Sequence, residues 1–280
     1  MPLDCALPEA TWRARLALAF ERRGERTVLA RREHDGPLVV QKALHPEGPE
    51  VCHAIVVHPP AGIAGGDELV IEVVAREGAR TLLTTPGAAK WYRSSGAWAR
   101  SRVSIEAGAQ SHVEWLPQET IVFDGALADI EWEARLEGDA TLIAWDIVRL
   151  GRTASGERFG KGRVNSTLRI VRDGRLSWIE RARIDPGAAI MRGAAGLAGE
   201  PVFATMVCAS EIVDDECLAR CRGIAPTSGE SAVTRLPGLL VARHRGASTR
   251  AAREYFTALW SVVRPRVAGR EATMPRIWST

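Results

Sequence analysis

Two carboxylates inside apolar segments are the residues of this sequence best suited to do chemistry. Asp146 interrupts the run TLIAWDIV, and Glu180 follows LSWI, so we expect both on buried strands. An ionised carboxylate is expensive to bury unless it is paired with a cation or bound to a metal. Cationic partners are plentiful among the 37 Lys and Arg residues. The pattern therefore leaves two interpretations open for each acid, an arginine pair or a functional site.

Cysteines and histidines offer a second possible chemistry, metal binding. On a regular strand Cys52 and His58 share a face while His53 points away, and Cys217 and Cys221 are one helical turn apart. The spacing of Cys52, His53 and His58 matches no compact zinc signature, and Cys217 and Cys221, which could chelate, are better explained as small apolar residues facing the core. We interpret these side chains as packed thiols and hydrogen-bonded imidazoles.

A glycine-rich segment, HPPAGIAGGDEL at 58–69, resembles a phosphate-binding loop in composition only. Such loops need a helix after the glycines, because its N-terminal N–H groups hold the phosphate. The segment ELVIEVVARE follows here, and its Val and Ile residues predict a strand. We expect no nucleotide site, and we expect the glycines to permit positive φ and close backbone approach.

Catalytic motifs are missing from the sequence. There is no G-x-S-x-G, no H-E-x-x-H, and no local Cys/His signature that would activate a nucleophile. The sequence therefore favours a protein that is not an enzyme.

Composition sets the broad class. A net charge of +3 and a pI near 8.7 are too mild to indicate nucleic-acid binding. No apolar stretch is long enough for a bilayer. The first residues lack the pattern of a secretory leader, and five scattered cysteines fit a reducing compartment. We expect a cytoplasmic protein with no membrane or nucleic-acid partner.

The elements that must position these residues are mostly strands. Gly78, Gly108 and Gly138 stand 30 residues apart, each in a turn between two strand-like segments, and Asp173-Gly174 marks a fourth turn. A fixed period with turn glycines predicts stacked hairpins or coils that share one core. The fold class is thus mainly β, a β-helix-like stack with about two α-helices in the last third. We expect one domain over 1–280.

The two helices are predicted from their caps and periodicity. DDECLARCR forms a short helix with Asp214 near its start. STRAAREYFTALWSVVR places apolar residues on one face, with Ser248 as the N-cap and Pro265 as the end.

Several segments, in order and over nearly the whole chain, resemble the urease accessory protein UreD (UreH) family. They are CHAIVVHPPAGIAGGDEL, TPGAAKWYRS, EWLPQETIVFDGA, RLGRTASGERFGKG and the closing PRIW. One departure is Ala61, where the family usually has a second glycine after the prolines. The family is mainly β, which agrees with the 30-residue period.

The resemblance implies a urease maturation factor. Such a factor binds apo-urease on one side and UreF on the other, and UreF docks the GTPase UreG. Nickel is thought to pass through an internal channel toward the urease active site, so it is cargo in transit and no cofactor is tightly bound.

Chemistry restricts the lining of such a channel, because Ni²⁺ binds nitrogen and sulfur ligands strongly and a conduit must release it. Scattered oxygen ligands suit release, and on that basis we expect the path at Asp67, Glu68, Thr84, Thr85, Asp146 and Glu180. In the family-like segments we expect Arg93, Arg152 and Arg158 to hold acids or partner groups by bidentate contacts.

One alternative from another class stays open, a stand-alone β-helical enzyme acting on a polar, sugar-like substrate. It predicts paired carboxylates in one surface cleft and turnover by the isolated chain. The maturation hypothesis predicts apolar partner-binding faces and no turnover by the chain alone.

Overall fold

A computed structural model describes residues 11–279, so Cys5 lies outside the described part. The strands are β1 Arg13–Arg23, β2 Arg26–Asp35, β3 Val39–Leu44, β4 Val51–Val57, β5 Gly62–Ile63, β6 Glu68–Ala75, β7 Arg80–Thr84, β8 Ala89–Trp91, β9 Ala99–Ala107, β10 His112–Trp115, β11 Thr120–Val122, β12 Leu127–Leu136, β13 Thr141–Leu150, β14 Arg163–Arg172, β15 Arg175–Ile184, β16 Val202–Ala209, β17 Glu230–Leu236 and β18 Leu239–Gly246. The helices are α1 Ala189–Arg192, α2 Asp215–Arg222 and α3 Thr249–Ala268, with 3-10 helices at Thr153–Ser155 and Arg276–Ser279.

Parallel strands stack into coils, which confirms the predicted β-helix-like fold. Sheet one has the order β15-β14-β12-β9-β6-β1-β2, and sheet two has the order β17-β18-β16-β13-β10-β7-β4-β3, with short β5, β8 and β11 pairing beside it. Ile71 pairs with Val103 and Val103 with Trp132, which are steps of 32 and 29 residues. The period read from the turn glycines is therefore the length of one coil.

The turn glycines lie at the corner between the two sheets. Gly78 N–H donates to Ala109 O at 3.0 Å, and Gly108 N–H donates to Ala75 O at 2.8 Å, so successive corners hydrogen-bond to each other. Gly78 has φ +68°, which favours glycine. The fourth turn differs, because Asp173-Gly174 joins the antiparallel pair β14–β15.

Burial follows from this layering. β6 alternates between half-buried and buried residues, because only one face of sheet one meets the core between the sheets. β13 is buried on both faces, because sheet two also carries the helices on its other side. The TLIAWDIV run is apolar for that reason, and Asp146 faces the interior between the sheets.

The helices largely match their predictions. Asp214 caps α2, accepting from Cys217 N–H at 2.8 Å, and Ser248 caps α3, accepting from Ala251 N–H at 3.2 Å. The predicted end at Pro265 is wrong, since α3 continues to Ala268. Proline removes one helical hydrogen bond, but burial of the last turn holds it in place.

A buried charge cluster ties α3 to the coils. The Arg264 guanidinium, fully buried, donates to both oxygens of Glu114 at 3.0 and 3.1 Å and to Glu47 at 2.6 and 2.8 Å. Trp260 Nε1 donates to Glu114 at 2.5 Å, and His53 Nε2 lies 2.5 Å from Glu47. Residues from the 45–50 loop, β10 and α3 therefore meet through one cation and two carboxylates.

None of the helices in residues 11–279 combines the length and the apolar character that a bilayer crossing requires. The four cysteines in that range, Cys52, Cys208, Cys217 and Cys221, are buried free thiols.

Candidate functional site

Two cavities in the molecule share one lining residue, Asp146. The inner cavity, about 210 Å³, lies between the two sheets and is bordered mainly by core side chains, among them Ile71, Trp91, Val103, Trp115, Ile130 and Trp132. The outer cavity, about 450 Å³, is bordered by β14, β15, β16, β17 and β18 and by the 195–197 segment. Asp146 is the residue that borders both cavities, so its side chain lies between them.

Asp146 is half-buried and has no ion-pair partner among residues 11–279. Pairing of β13 with β16 and of β16 with β18 sets Asp146, Thr205 and Arg243 in one row across sheet two. No side chain in residues 11–279 donates a hydrogen bond to the Asp146 carboxylate, and Arg243 is engaged by Glu180. Burial, helped by the negative charge of Glu180, raises the Asp146 pKa to about 7. This carboxylate can therefore take up and release a proton near neutral pH.

Glu180 lies in the same outer cavity but is paired. Its carboxylate accepts from Thr205 Oγ1 at 2.7 Å and from Arg243 Nε at 2.8 Å, with a further contact from Arg243 Nη2. Of the two interpretations left open by the sequence, the arginine pair therefore applies to Glu180. Asp146 has no arginine partner among the described residues.

We predict that Glu180→Gln costs under about 1 kcal/mol in unfolding free energy. The Arg243 side chain is 55% exposed, so water hydrates the cation once its partner is neutral. Glu119→Gln is the matched comparison, because its partner Arg253 is only 25% exposed, and there we expect roughly 1.5–3 kcal/mol. Urea unfolding of both variants measures the difference, and equal losses would contradict it.

The other residues expected on the path are spread through the molecule. Thr85 borders the inner cavity, where its hydroxyl accepts from Gln118 N–H at 2.9 Å. Thr84 is buried, donating to Leu116 O at 2.6 Å and accepting from Trp278 Nε1 at 2.7 Å.

The two acids after the glycine loop are away from both cavities. Asp67 is buried and its carboxylate accepts from the N–H groups of Trp12 and Ala64, both at 2.8 Å, so it holds the loop together. Glu68 borders only a small crevice on the outer side of sheet one. The structure therefore brings Thr85, Asp146 and Glu180 to the cavities, and it leaves Asp67, Glu68 and Thr84 elsewhere.

Several residues that border the cavities were missed from the sequence. Ser166, Thr205 and Arg243 line the outer cavity, and Lys90 and Gln118 line the inner one. Alternation along β14 could have indicated that Ser166 faces inward, but β16 is apolar on both faces and gives no such signal for Thr205. Nothing in the sequence, however, shows which strands lie side by side.

The glycine loop does what the sequence predicted for its backbone. Strand β6 follows it, and Gly66 adopts φ +93°. A Cβ on Gly62 would lie 2.0 Å from the Tyr92 ring, and one on Gly65 would lie 2.4 Å from Ser94 Oγ. The glycines therefore let the next loop pack directly on this one.

Four such loops stack at one corner of the coils, which we call the loop corner: residues 58–66, 92–97, 123–126 and 151–162. Backbone bonds join them, from Tyr92 N–H to Ile63 O at 2.9 Å and from Ser94 N–H to Gly125 O and Gly125 N–H to Lys161 O, both at 3.0 Å. Four of the five family-like segments contribute to this corner, and the closing PRIW lies elsewhere, where Trp278 contacts Thr84.

The three arginines singled out from the sequence lie in the loop corner. Arg93 reaches Asp124 at 3.5 Å, and Arg152 pairs with Glu157 at 2.6 Å while its guanidinium lies 4.3 Å from the Phe123 ring centre. Arg158 is exposed and has no ion-pair partner in the described part of the chain. Arg93 and Arg152 thus hold acids within the chain, and Arg158 holds none.

We predict that Gly162→Ala is strongly destabilising. Gly162 has φ +94°, and a Cβ there would lie 2.2 Å from Ala126 O, in backbone that cannot move aside. Gly174→Ala is the matched control, because Gly174 also has positive φ, +75°, but open space around it. In both variants an alanine at positive φ should lower the free energy of unfolding by about 1–2 kcal/mol. The clash should lower it by about 1–3 kcal/mol more in Gly162→Ala. Equal denaturation midpoints for the two would contradict this.

Metal binding by a tight cluster finds no support in the described residues. Within 11–279, no three or more His, Cys, Asp or Glu side chains are grouped closely enough to hold an ion together. Cys52 is buried, which raises its pKa to about 11, and His53 binds Glu47.

Comparison with known proteins gives the family. Residues 13–279 match the family described as UreD urease accessory protein. A protein named urease accessory protein UreD from Azoarcus sp. (strain BH72) is 53% identical over 269 residues, covering 96% of this chain and 94% of that relative. Its namesake from Dechloromonas aromatica (strain RCB) is 49% identical, covering 100% of this chain and 99% of the relative. The chain therefore belongs to the UreD family of urease accessory proteins.

Proposed function

We propose that this protein acts in the cytoplasm as a single unit over 1–280 that binds apo-urease and UreF, and through UreF the GTPase UreG. In that assembly it helps to deliver nickel to the urease active site along a path through its interior. Membership of the UreD family supports the urease-related role. The observation that carries the path is that one carboxylate without an ion-pair partner, Asp146, borders two cavities.

The chemistry of the cavities suits an ion in transit. The outer cavity presents oxygen ligands from Asp146, Glu180, Ser166 and Thr205. Carboxylate and hydroxyl oxygens bind Ni²⁺ less firmly than thiolates or several imidazoles do, so an ion can move on. In its ionised form Asp146 attracts the cation into the apolar inner cavity, where hydration alone would have to support it.

A plug in the outer cavity tests the path. Ser166 on β14 faces that cavity, and the next residue, Thr167, faces the opposite side of the sheet. We expect urease co-produced with Ser166→Phe to contain at most a tenth of the nickel found with Thr167→Phe. Thermal melting and binding to UreF and apo-urease establish that both variants are folded. Full nickel incorporation with a folded Ser166→Phe variant would overturn the interior path.

One observation favours the enzyme alternative as a second candidate. Asp146 and Glu180 share the outer cavity, and Asp146 has a pKa near 7 while Glu180 is paired with Arg243. Two carboxylates in such different surroundings resemble the acid and base of a glycosidase. Release of reducing sugar from oligosaccharides by the isolated chain, lost in Asp146→Asn, would support that function. The maturation hypothesis expects no release.

A further inference from the structure

In the loop corner the acidic side chains are mostly buried and the cationic side chains are exposed. Asp124 Oδ1 accepts from the N–H groups of Gly160 and Lys161, both at 2.7 Å. Glu157 Oε1 accepts from Asp124 N–H at 3.0 Å, and its other oxygen takes the Arg152 guanidinium. The two carboxylates are therefore used inside the corner, and their side chains are only 18% and 20% exposed.

The cations of the same corner face solvent. The side chain of Arg93 is 72% exposed even though it reaches Asp124. Arg158 and Lys161 are exposed, and neither has an ion-pair partner in residues 11–279. The four loops contain four cations, Arg93, Arg152, Arg158 and Lys161, and two acids, Asp124 and Glu157, a local excess of positive charge that the whole-chain value of +3 does not reveal.

Exposed aromatic surface adjoins these cations. Tyr92 is 39% exposed and meets Phe123 edge to face at 5.1 Å between ring centres. The Arg152 guanidinium lies over the Phe123 ring. Tyrosine and arginine held rigidly at the surface are the residue types that dominate protein–protein interfaces. The hydrogen bonds among the four loops fix these side chains before any partner arrives.

We infer that the loop corner is a docking surface for an acidic protein surface within the urease assembly. This inference rests on the proposed function for the presence of partners, and it adds the place and the chemistry of one contact. Planar guanidinium groups pair with carboxylates in a bidentate manner, and the tyrosine covers apolar surface beside them. Four exposed cations, Arg93, Arg152, Arg158 and Lys161, form a patch beside Tyr92. They do not form the extended basic stripe that nucleic acid needs.

Charge reversal tests the surface. Arg158→Glu/Lys161→Glu changes two cations that hold no acid within the described residues, so we expect unchanged thermal melting. Arg22→Glu/Arg175→Glu is the matched control, because both arginines are exposed at the opposite ends of the strands. Association of each variant with purified UreF–UreG and with purified apo-urease is measured by surface plasmon resonance at low and high salt.

We expect the corner variant to associate at least tenfold more slowly with one of these proteins at low salt. The wild-type association rate with that protein should fall with ionic strength. Unchanged rates for both proteins, while the wild type binds them, would overturn the inference and leave the proposed function standing. If the corner variant differs from the wild type only in weaker binding to duplex DNA, the partner is a nucleic acid and the inference is overturned. Failure of the wild type to bind either protein would overturn the proposed function and this inference together.

Discussion

Arg264→Met should lower the free energy of unfolding by about 3–5 kcal/mol, because it leaves Glu47 and Glu114 as buried carboxylates with no cation. Both acids are almost fully buried, and Arg264 donates to each of them twice. Because methionine keeps much of the arginine volume, the decrease in unfolding free energy measures the effect of removing the guanidinium charge. Urea unfolding at neutral pH is the measurement.

A surface pair provides the control for this prediction. Arg250→Met removes the exposed i,i+4 pair with Glu254, and we expect a change of under about 0.5 kcal/mol. The triple variant Arg264→Met/Glu47→Gln/Glu114→Gln should recover much of the loss, since it leaves no buried charge. A loss for Arg264→Met as small as that of Arg250→Met would show that the cluster does not stabilise the fold.

The same cluster should respond to acid. Burial alone would raise the pKa of Glu114, but the His112 imidazole 3.7 Å away and the charge of Arg264 lower it to about 2. Because this pKa is below that of the unfolded chain, the stabilisation is complete above about pH 5 and is lost as the pH falls toward 2. Between about pH 5 and pH 2 the difference in unfolding free energy between the wild type and the triple variant should therefore disappear.

In contrast to Arg264→Met, the substitution Asp146→Asn should increase the free energy of unfolding at alkaline pH. The folded pKa of Asp146, about 7, is above its ordinary value of 3.8, so the unfolded chain ionises first as the pH rises. The wild type is then fully stable below about pH 4, and it loses stability progressively until about pH 7. The asparagine avoids this penalty, which amounts to at most about 4 kcal/mol.

Unfolding at pH 5 and pH 8 measures this effect. We expect the advantage of Asp146→Asn to be larger at pH 8 than at pH 5. Glu106→Gln, on the exposed outer face of sheet one, is the control and should show no such trend. The same Asp146→Asn variant should yield urease with less nickel, because the amide keeps the shape and loses the attraction for the cation. A pH-independent difference, or full nickel loading, would remove Asp146 from this role.

The coils were predictable because local signals agree with the final structure. Alternating burial in β6, the turn glycines and the caps of α2 and α3 all follow from nearest neighbours along the chain. Pro265 was misjudged because its effect is local, whereas the burial that retains the last turn of α3 comes from distant strands.

The cavities were less predictable, because they depend on register between strands. Asp146, Thr205 and Arg243 are brought into one row only by pairing across three strands that are far apart in sequence. Asp67 and Asp146 were both expected on the path, yet two backbone N–H groups engage Asp67. Which acid remains unpaired is settled by the tertiary neighbours, and the sequence does not display them.

The antiparallel strands at the ends of the stack have a consequence for how this fold can change in evolution. In sheet one the parallel series β1, β6, β9, β12 and β14 is closed by β2 on one side and β15 on the other. Neither end can accept another parallel coil by simple extension, and charged residues on β2 discourage pairing between molecules. Duplication of an internal coil would instead lengthen the interior by about 4.8 Å, the distance between neighbouring strands. Both closed ends would be preserved, so the length of the interior can change in evolution through the number of internal coils.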